Sequence, residues 1–448
     1  MEASTPRAAR PARGEELELQ VESLAQGGRG VARRADGFVV FVAGGLPGDR
    51  VRARVSRSKR GYAEAATVEM LEPSADRVAD TCVHDGQPCP GAPWQGLSYE
   101  QQLEEKAAQV DEALTRLGGL DGFDSEPIVP AVSQWRYRNK LEYSFGDRDG
   151  DAVLGFHRRG SWREVVDVDD CHLASEANNA ARNAVRDWAR TEGLPPYDSD
   201  DEHGVLRNLI VREGTRTRQV QTRLVTTPAE FPRPPVDLHT VIEGPAGGTD
   251  GPTGVLGEEH LEEELSGLRF RISHAAFFQT NTEMAERLYG IAGDYAGLTG
   301  SERVFDLYCG IGTISLSLAA QAGEVWGIET VPEAVADADR NAKRNNIANA
   351  RFEAVDARLG IRPLVERAGK PDVLVVDPPR AGLSKKVVRR VIECEAPRIV
   401  YVSCNPTTLA PNAAQLAEAG YVLRRVTPVD MFPQTPHVEC VALLERAL

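Results

Sequence analysis

Long apolar runs are missing from this chain of 448 residues. Runs such as Val373 to Val376 fall far short of the roughly 20 residues that a membrane-spanning helix needs. The opening segment MEASTPRAARPARGEE has positive charges with no apolar stretch behind them, so no secretory signal is expected. Cysteine is sparse: seven, an odd number, are scattered along the chain. That argues against a disulfide framework, and for a reducing cytoplasm in which thiols serve metals or catalysis. Positive charge is in deficit, with 52 Lys plus Arg against 67 Asp plus Glu and a net charge of −15. A uniformly polybasic nucleic-acid binder is thereby excluded, although location matters more than the sum. Internal repeats are absent. The chain is 41% hydrophobic and 27% charged, which excludes disorder over most of its length. That length corresponds to about three domains.

The first 60 residues depart from the acidic average, with twelve Arg and Lys against seven Asp and Glu. Acids gather elsewhere, at Asp198, Asp200, Asp201 and Glu202 and at Glu258, Glu259 and Glu262 to Glu264, where they read as solvated surface. Residues 1–13 are Pro, Ala and Arg rich and read as disordered. Between residues 14 and 72, five short runs separated by glycine turns predict a small β-barrel. In it Arg50, Arg52 and Arg54 alternate with Val51, Ala53 and Val55, so the arginines share one face. Residues 98–118 read as an amphipathic helix with Leu103, Ala107, Val110, Leu114 and Leu117 on one stripe, stopped by Gly118-Gly119 and expected to pack on the catalytic domain. The expected central domain, 73–265, is β-rich with a helix near 174–191, and its stretch 226–260 reads as irregular connecting segments because of its Pro and Gly content. From 266 to 448 strands alternate with helices. Candidate strands are 304–307, 324–328, 350–355, 373–376, 399–403, 421–428 and 438–444. The fold class is therefore α/β: a Rossmann-like, doubly wound domain whose ligands sit outside the carboxyl ends of the strands.

Asp306-Leu307-Tyr308-Cys309-Gly310-Ile311-Gly312-Thr313 follows an apolar strand and opens a helix, a place where backbone amides approach a ligand. Glu329, 23 residues after Asp306, ends the next strand and is placed to accept hydrogen bonds from ribose hydroxyls. Asp356 ends the third strand and is placed to meet a base. The alternative is NAD, but Ser315 stands where the third glycine of the dinucleotide fingerprint would fall, and a second nucleotide-binding half is lacking. A mononucleotide-like cofactor fits better, and S-adenosylmethionine is the usual one. The plain alternative is a glycine turn with no ligand.

Three further motifs fall at strand ends. Asp377-Pro378-Pro379-Arg380 puts a rigid step on the cleft wall. Amine methyltransferases follow such a step with an aromatic residue, whereas Arg380 follows here. Ser403-Cys404-Asn405-Pro406 puts a thiol at the cleft mouth, poised as a nucleophile rather than a small buried hydrophobe. Glu439 interrupts the apolar strand Val438-Glu439-Cys440-Val441, and burial there would raise its pKa and suit it to proton transfer.

With these residues in place the chain resembles the RNA uracil-C5 methyltransferase family. The likeness rests on Phe278-Gln279-x-Asn281, Asp306-x-Tyr308-Cys309-Gly310-x-Gly312-Thr313, Asp377-Pro378-Pro379-Arg380, Ser403-Cys404-Asn405-Pro406 and His437-Val438-Glu439, in family order. The barrel is similar to a TRAM domain, the RNA-binding module of many members. The resemblance implies that the Cys404 thiolate adds to uracil C6, that C5 is then methylated from S-adenosylmethionine, and that Glu439 removes the C5 proton. It places Gln279, Tyr308, Thr313, Glu329 and Asp356 around the cofactor, with Asp377 on the cofactor or on the uracil edge. It also implies a base extruded from folded RNA. Barrel-bearing relatives act mostly on large-subunit ribosomal RNA, with transfer RNA the other class, so ribosomal RNA is the expected partner of a monomeric, membrane-free, cytoplasmic enzyme. A non-catalytic RNA-binding or RNA-folding module is the rival reading, and it leaves Cys404, Glu439 and the cofactor loop without a purpose.

Members with a [4Fe-4S] cluster bring four cysteines together. Cys82, Cys89 and Cys171 match three of them, but Ala92 stands where another should be, so the set is incomplete unless a residue such as His84 substitutes. Basic residues interleaved with aromatics mark candidate RNA contacts. One group is Arg50, Arg52, Arg54, Arg57, Lys59 and Arg60 beside Tyr62; a second is Arg136, Arg138 and Lys140 beside Trp135 and Tyr137; a third is Arg158, Arg159 and Arg163 around Trp162. The competing reading is a solvated strand face.

Overall fold

The computed structural model describes residues 10–447, apart from 159, 235, 237, 244–248, 256 and 275. Arg159 and most of residues 1–13 therefore lie outside the described residues. Strands β1 (Glu16–Leu24), β2 (Gly30–Arg33), β3 (Val39–Ala43), β4 (Arg50–Ser58) and β5 (Tyr62–Glu72) close into a barrel in the order β1-β2-β3-β5-β4. Val51, Ala53 and Val55 fill its interior with Leu19, Val21, Val40 and Val42, which leaves the arginines of β4 outside. Each then meets acids on neighbouring strands: Arg50 pairs with Glu18 and Glu72, Arg52 with Glu18 and Glu69, and Arg54 with Glu16. The stretch that is free of acids in sequence is thus partly neutralised in space. Lys59 and Arg60, at the β4–β5 turn, are exposed and carry no ion pair among the described residues.

A short ribbon, β6 (Val83–His84) with β7 (Gln87–Pro88), leads to α1 (Tyr99–Glu112), which runs on as a π-helical turn over Ala113–Leu117. Ser98 caps α1 by accepting from the Gln101 amide. The apolar stripe expected from periodicity holds in part, since Val110 and Leu114 are fully buried, but polar side chains share the buried face. Leu117 is exposed, while Gln102, Glu105 and Lys106 are buried with Val110. The reason is polar complementarity. Gln102 donates to the Trp94 and Leu97 carbonyls and to Gln434, Glu105 accepts from the Leu24 amide, and Lys106 donates to Asp430. Strand β8 (Asp124–Ser125) then joins the edge of the catalytic sheet.

The central domain is a seven-stranded sheet in the order β11-β10-β9-β12-β13-β14-β15. It is built from β9 (Lys140–Arg148), β10 (Asp151–His157), β11 (Val165–Asp167), β12 (Leu206–Glu213), β13 (Val220–Thr226), β14 (Leu238–Glu243) and β15 (Thr249–Val255), with α2 (Glu176–Thr191) against it. Strands β14 and β15 correct the expectation of irregular structure over 226–260. They form by pairing with an existing edge, β13, which composition alone does not reveal. A hairpin of β16 (His260–Leu265) and β17 (Leu268–Ser273) straddles the expected boundary at 265 and packs on helices of the last domain.

That domain alternates α3 (Thr282–Ala296), β18 (Arg303–Leu307), α4 (Thr313–Ala319), β19 (Glu324–Glu329), α5 (Pro332–Arg344), β20 (Ala350–Ala354), α6 (Ala357–Ala368), β21 (Val373–Val376), α7 (Lys385–Cys394), β22 (Arg398–Ser403), α8 (Pro406–Glu418), β23 (Tyr421–Val429) and β24 (Glu439–Arg446). Its sheet order is β20-β19-β18-β21-β22-β24-β23-β8, parallel through β22, antiparallel from β22 to β24 and β24 to β23, with β8 parallel to β23. The buried run Val373–Val376 is fully apolar because helices cover both faces. No described helix is long and apolar enough to cross a membrane.

Candidate active site

The strand order reverses direction on either side of β18 and β21, so a crevice opens at their carboxyl ends. On one side lies the glycine turn. Tyr308, Gly310 and Gly312 hold φ of 68°, 54° and 87°, a conformation that disfavours a side chain and marks Tyr308 as strained. This turn delivers the Gly310 amide to Glu329 Oε2 at 3.2 Å. The other oxygen of Glu329 accepts from the Thr330 amide at 2.6 Å and the Val331 amide at 3.0 Å, so the carboxylate is held before any ligand arrives. Asp356 caps α6 through the Arg358 amide at 2.9 Å, and its charge, with that of Glu329, reaches Tyr308. Ser315, in the place of the missing third glycine, donates to the buried Asp306. Burial pushes that carboxyl up to about 7.

Gln279 is buried just before α3, and its backbone carbonyl accepts from Asn139 of the central domain at 2.9 Å. Phe277, two residues earlier, is 65% exposed. Thr313 meets the Tyr289 hydroxyl at 3.2 Å. Tyr289 was not singled out in the sequence, because its α3 neighbours make it look like ordinary core. Yet this buried hydroxyl lies near enough to Asp377, Asp306 and Glu439 for all three to act on it.

Cys404 and Glu439 come together through strand register. Ser403 pairs with Cys440 at the end of the antiparallel β22–β24 ladder, so Cys404 leaves β22 beside Glu439, the first residue of β24, and the charge of Glu439 reaches the thiol. Cys404 sits just before the cap of α8, where Asn405 accepts from the Thr407 amide and Pro406 takes the first helical position. Burial, Glu439 and Asp377 push the thiol up to about 11, and Arg380 opposes them. Glu439 is 3% exposed with Oε2 unpartnered, and burial followed by the charge of Asp377 raises it well above the ordinary carboxyl range. Burial likewise pushes Asp377 up to about 7.

Two other domains reach this rim. Gln26, in the β1–β2 turn of the barrel, donates to Asn405 at 2.5 Å, and Thr407 donates back to Gln26 at 3.1 Å. Arg138 stacks over Phe432 at 5.5 Å, and Phe432 meets His437 edge-on at 6.1 Å. Burial, then Arg380, Arg138 and Lys106, lower His437 to about 4, which keeps its ring neutral. Arg136, by contrast, grips Asp170 with both ends and the Cys171 and Ala174 carbonyls, which removes most of its capacity for phosphate.

The segment 430–437 that leads into Glu439 is anchored by the fully buried Lys106–Asp430 pair at 2.5 Å, with Tyr99 donating to the second Asp430 oxygen at 2.9 Å. Replacing Lys106 with methionine is expected to cost about 3–5 kcal/mol of stability, because it leaves Asp430 buried and uncompensated. Denaturant unfolding measures this, and adding Asp430→Asn should recover part of the loss.

The four-cysteine cluster implied by the resemblance does not fit the residues present. Ala92 is fully buried and offers no ligand. Cys82, His84 and Cys89 do gather, with ligand atoms all within 4.8 Å of one another. Buried Cys171 lies outside that group of three and near enough to couple electrostatically to Cys82 and Cys89.

Comparison with known proteins identifies the family. The family signature described as tRNA (Uracil-5-)-methyltransferase matches residues 253–447, and the TRAM domain signature matches 11–68. An uncharacterized RNA methyltransferase of Halalkalibacterium halodurans is 38% identical over 445 residues, covering 96% of each chain. One of Chlorobaculum tepidum is 37% identical, covering 97% of each chain. Among solved structures, the Pyrococcus abyssi tRNA (uracil-54, C5)-methyltransferase in complex with S-adenosyl-L-homocysteine superimposes with a TM-score of 0.78 at 28% identity, over 96% of this chain and 100% of that one. The chain thus belongs to the S-adenosylmethionine-dependent RNA uracil-C5 methyltransferases that carry an N-terminal TRAM barrel.

Proposed function

We propose that the enzyme methylates uridine C5 in structured RNA through a covalent adduct between Cys404 and uracil C6. The observation that carries this reading is the end of the β22–β24 ladder, which brings Cys404 within electrostatic reach of the buried Glu439, whose Oε2 is unpartnered. S-adenosylmethionine supplies the methyl group when bound. Glu329 would hold its ribose hydroxyls, with Tyr308, Asp356, Gln279 and Thr313 around it. The Cys404 thiolate attacks C6, and the electron pair of the C5–C6 bond moves toward O4, making C5 nucleophilic. Once C5 carries the methyl group, Glu439 accepts the C5 proton, and the electrons left behind expel the sulfur. Asp377, kept partly protonated by burial, donates to the uracil edge or positions the cofactor.

Lys59 and Arg60 on the barrel and Arg138 at the crevice rim bind RNA phosphates, and Arg50, Arg52 and Arg54 join them when RNA displaces their glutamates. Arg136 supports this surface from behind, through Asp170.

Large-subunit ribosomal RNA is the proposed substrate, on the strength of the barrel and of the family resemblance. A second reading, transfer RNA, draws support from the Pyrococcus abyssi enzyme. Mapping 5-methyluridine in RNA from cells lacking the protein decides between them. The proposal expects a methyl group missing from one or more ribosomal uridines; loss confined to transfer RNA establishes the second reading.

A further inference from the structure

We propose that Cys82, His84, Cys89 and Cys171 bind a single divalent ion of the zinc class, in place of an iron–sulfur cluster. Two observations carry this. The first is spacing. Tetrahedral zinc with bonds near 2.0–2.3 Å sets its ligand atoms about 3.5–3.8 Å apart, whereas a cubane spreads its terminal sulfurs over roughly 6 Å. The Cys82 sulfur lies 3.3 Å from His84 Nε2, and all three ligand atoms of Cys82, His84 and Cys89 fall within 4.8 Å. That span suits one ion and is too tight for a cluster.

The second is composition. Cys82, His84 and Cys89 supply three ligand atoms, buried Cys171, which lies outside that group of three, supplies the fourth by closing on the ion, and the buried Ala92 withholds the further thiol that a cluster would use.

A cavity of about 380 Å³ lined by Asp80, His84 and Cys89 gives the ion an entry path. Binding releases the thiol protons to solvent and changes no oxidation state. The ion would clip the β6–β7 ribbon to the Cys171 turn, which Arg136 already holds through the Cys171 carbonyl.

Metal analysis of the full-length protein, prepared anaerobically, tests this. One zinc per chain with no acid-labile sulfide is expected, and iron and sulfide near four each would overturn it. Adding Co2+ alone to the metal-free protein should saturate at one equivalent, with the intense visible bands of a tetrahedral thiolate site. His84→Ala should weaken Co2+ binding at least about tenfold and change those bands, and His84→Cys should restore one equivalent. These exchanges leave the buried thiols in place, so the fold is kept. Absent Co2+ binding, or binding indifferent to His84→Ala, overturns the site.

Discussion

Replacing Cys404 with alanine is expected to lower methyl transfer at least about a thousandfold, because the reaction then loses its only covalent route to a nucleophilic C5. The side chain is small and half-buried at a strand end, so its removal leaves the sheet intact. RNA and cofactor binding should therefore stay near their original strength, measured on the same preparation by filter binding and calorimetry. Loss of turnover with binding retained separates a chemical role from a folding role.

Replacing Glu439 with glutamine should have a different consequence. Without a carboxylate to take the C5 proton, the methylated adduct has no exit, and protein–RNA complexes that survive denaturing gels should accumulate. Turnover should fall by about 10²- to 10⁴-fold, the usual contribution of a positioned base. This variant also makes a pH prediction. Burial, then Glu439 and Asp377, push the Cys404 thiol upward, to about 11. Removing one negative charge favours the thiolate, so adduct formation in Glu439→Gln should set in at a lower pH than the first-turnover adduct of the unaltered enzyme. Because the attacking form is the thiolate, the rate of either protein should rise with pH from neutral toward alkaline conditions. A shift of the onset to higher pH in Glu439→Gln would contradict the electrostatic coupling.

Much of the catalytic domain was legible because its signals are local. The apolar runs at 304–307 and 373–376, the glycine turn after Asp306 and the acid in the last strand each announce themselves within a few residues. The alternation of Arg50, Arg52 and Arg54 likewise placed them outside the barrel. What the sequence hid is non-local. The glutamates that neutralise those arginines arrive from β1 and β5 through register, with Arg52 opposite Glu18 and Glu69. The polar part of the buried face of α1 escaped because a count of apolar positions cannot anticipate that Lys106 will find Asp430, 324 residues away. Tyr289 and the Arg138–Phe432–His437 stack escaped for the same reason: each reaches the crevice through packing between distant segments. The nearness of Cys404 and Glu439 depends on the register that pairs Ser403 with Cys440 at the end of the β22–β24 ladder, and a slip of one residue would turn Glu439 to the other face.

The central claim is a bond between one sulfur and one carbon, and mass spectrometry of the trapped complex tests it most directly. RNA from cells lacking the protein would be incubated with Glu439→Gln enzyme and S-adenosylmethionine, and the complex digested with protease and nuclease. The account predicts a nucleotide bearing one added methyl group attached to the peptide that contains Cys404, and no such species when Cys404 is also alanine. A nucleotide attached to any other residue, or full methylation by the Cys404→Ala protein, would contradict it.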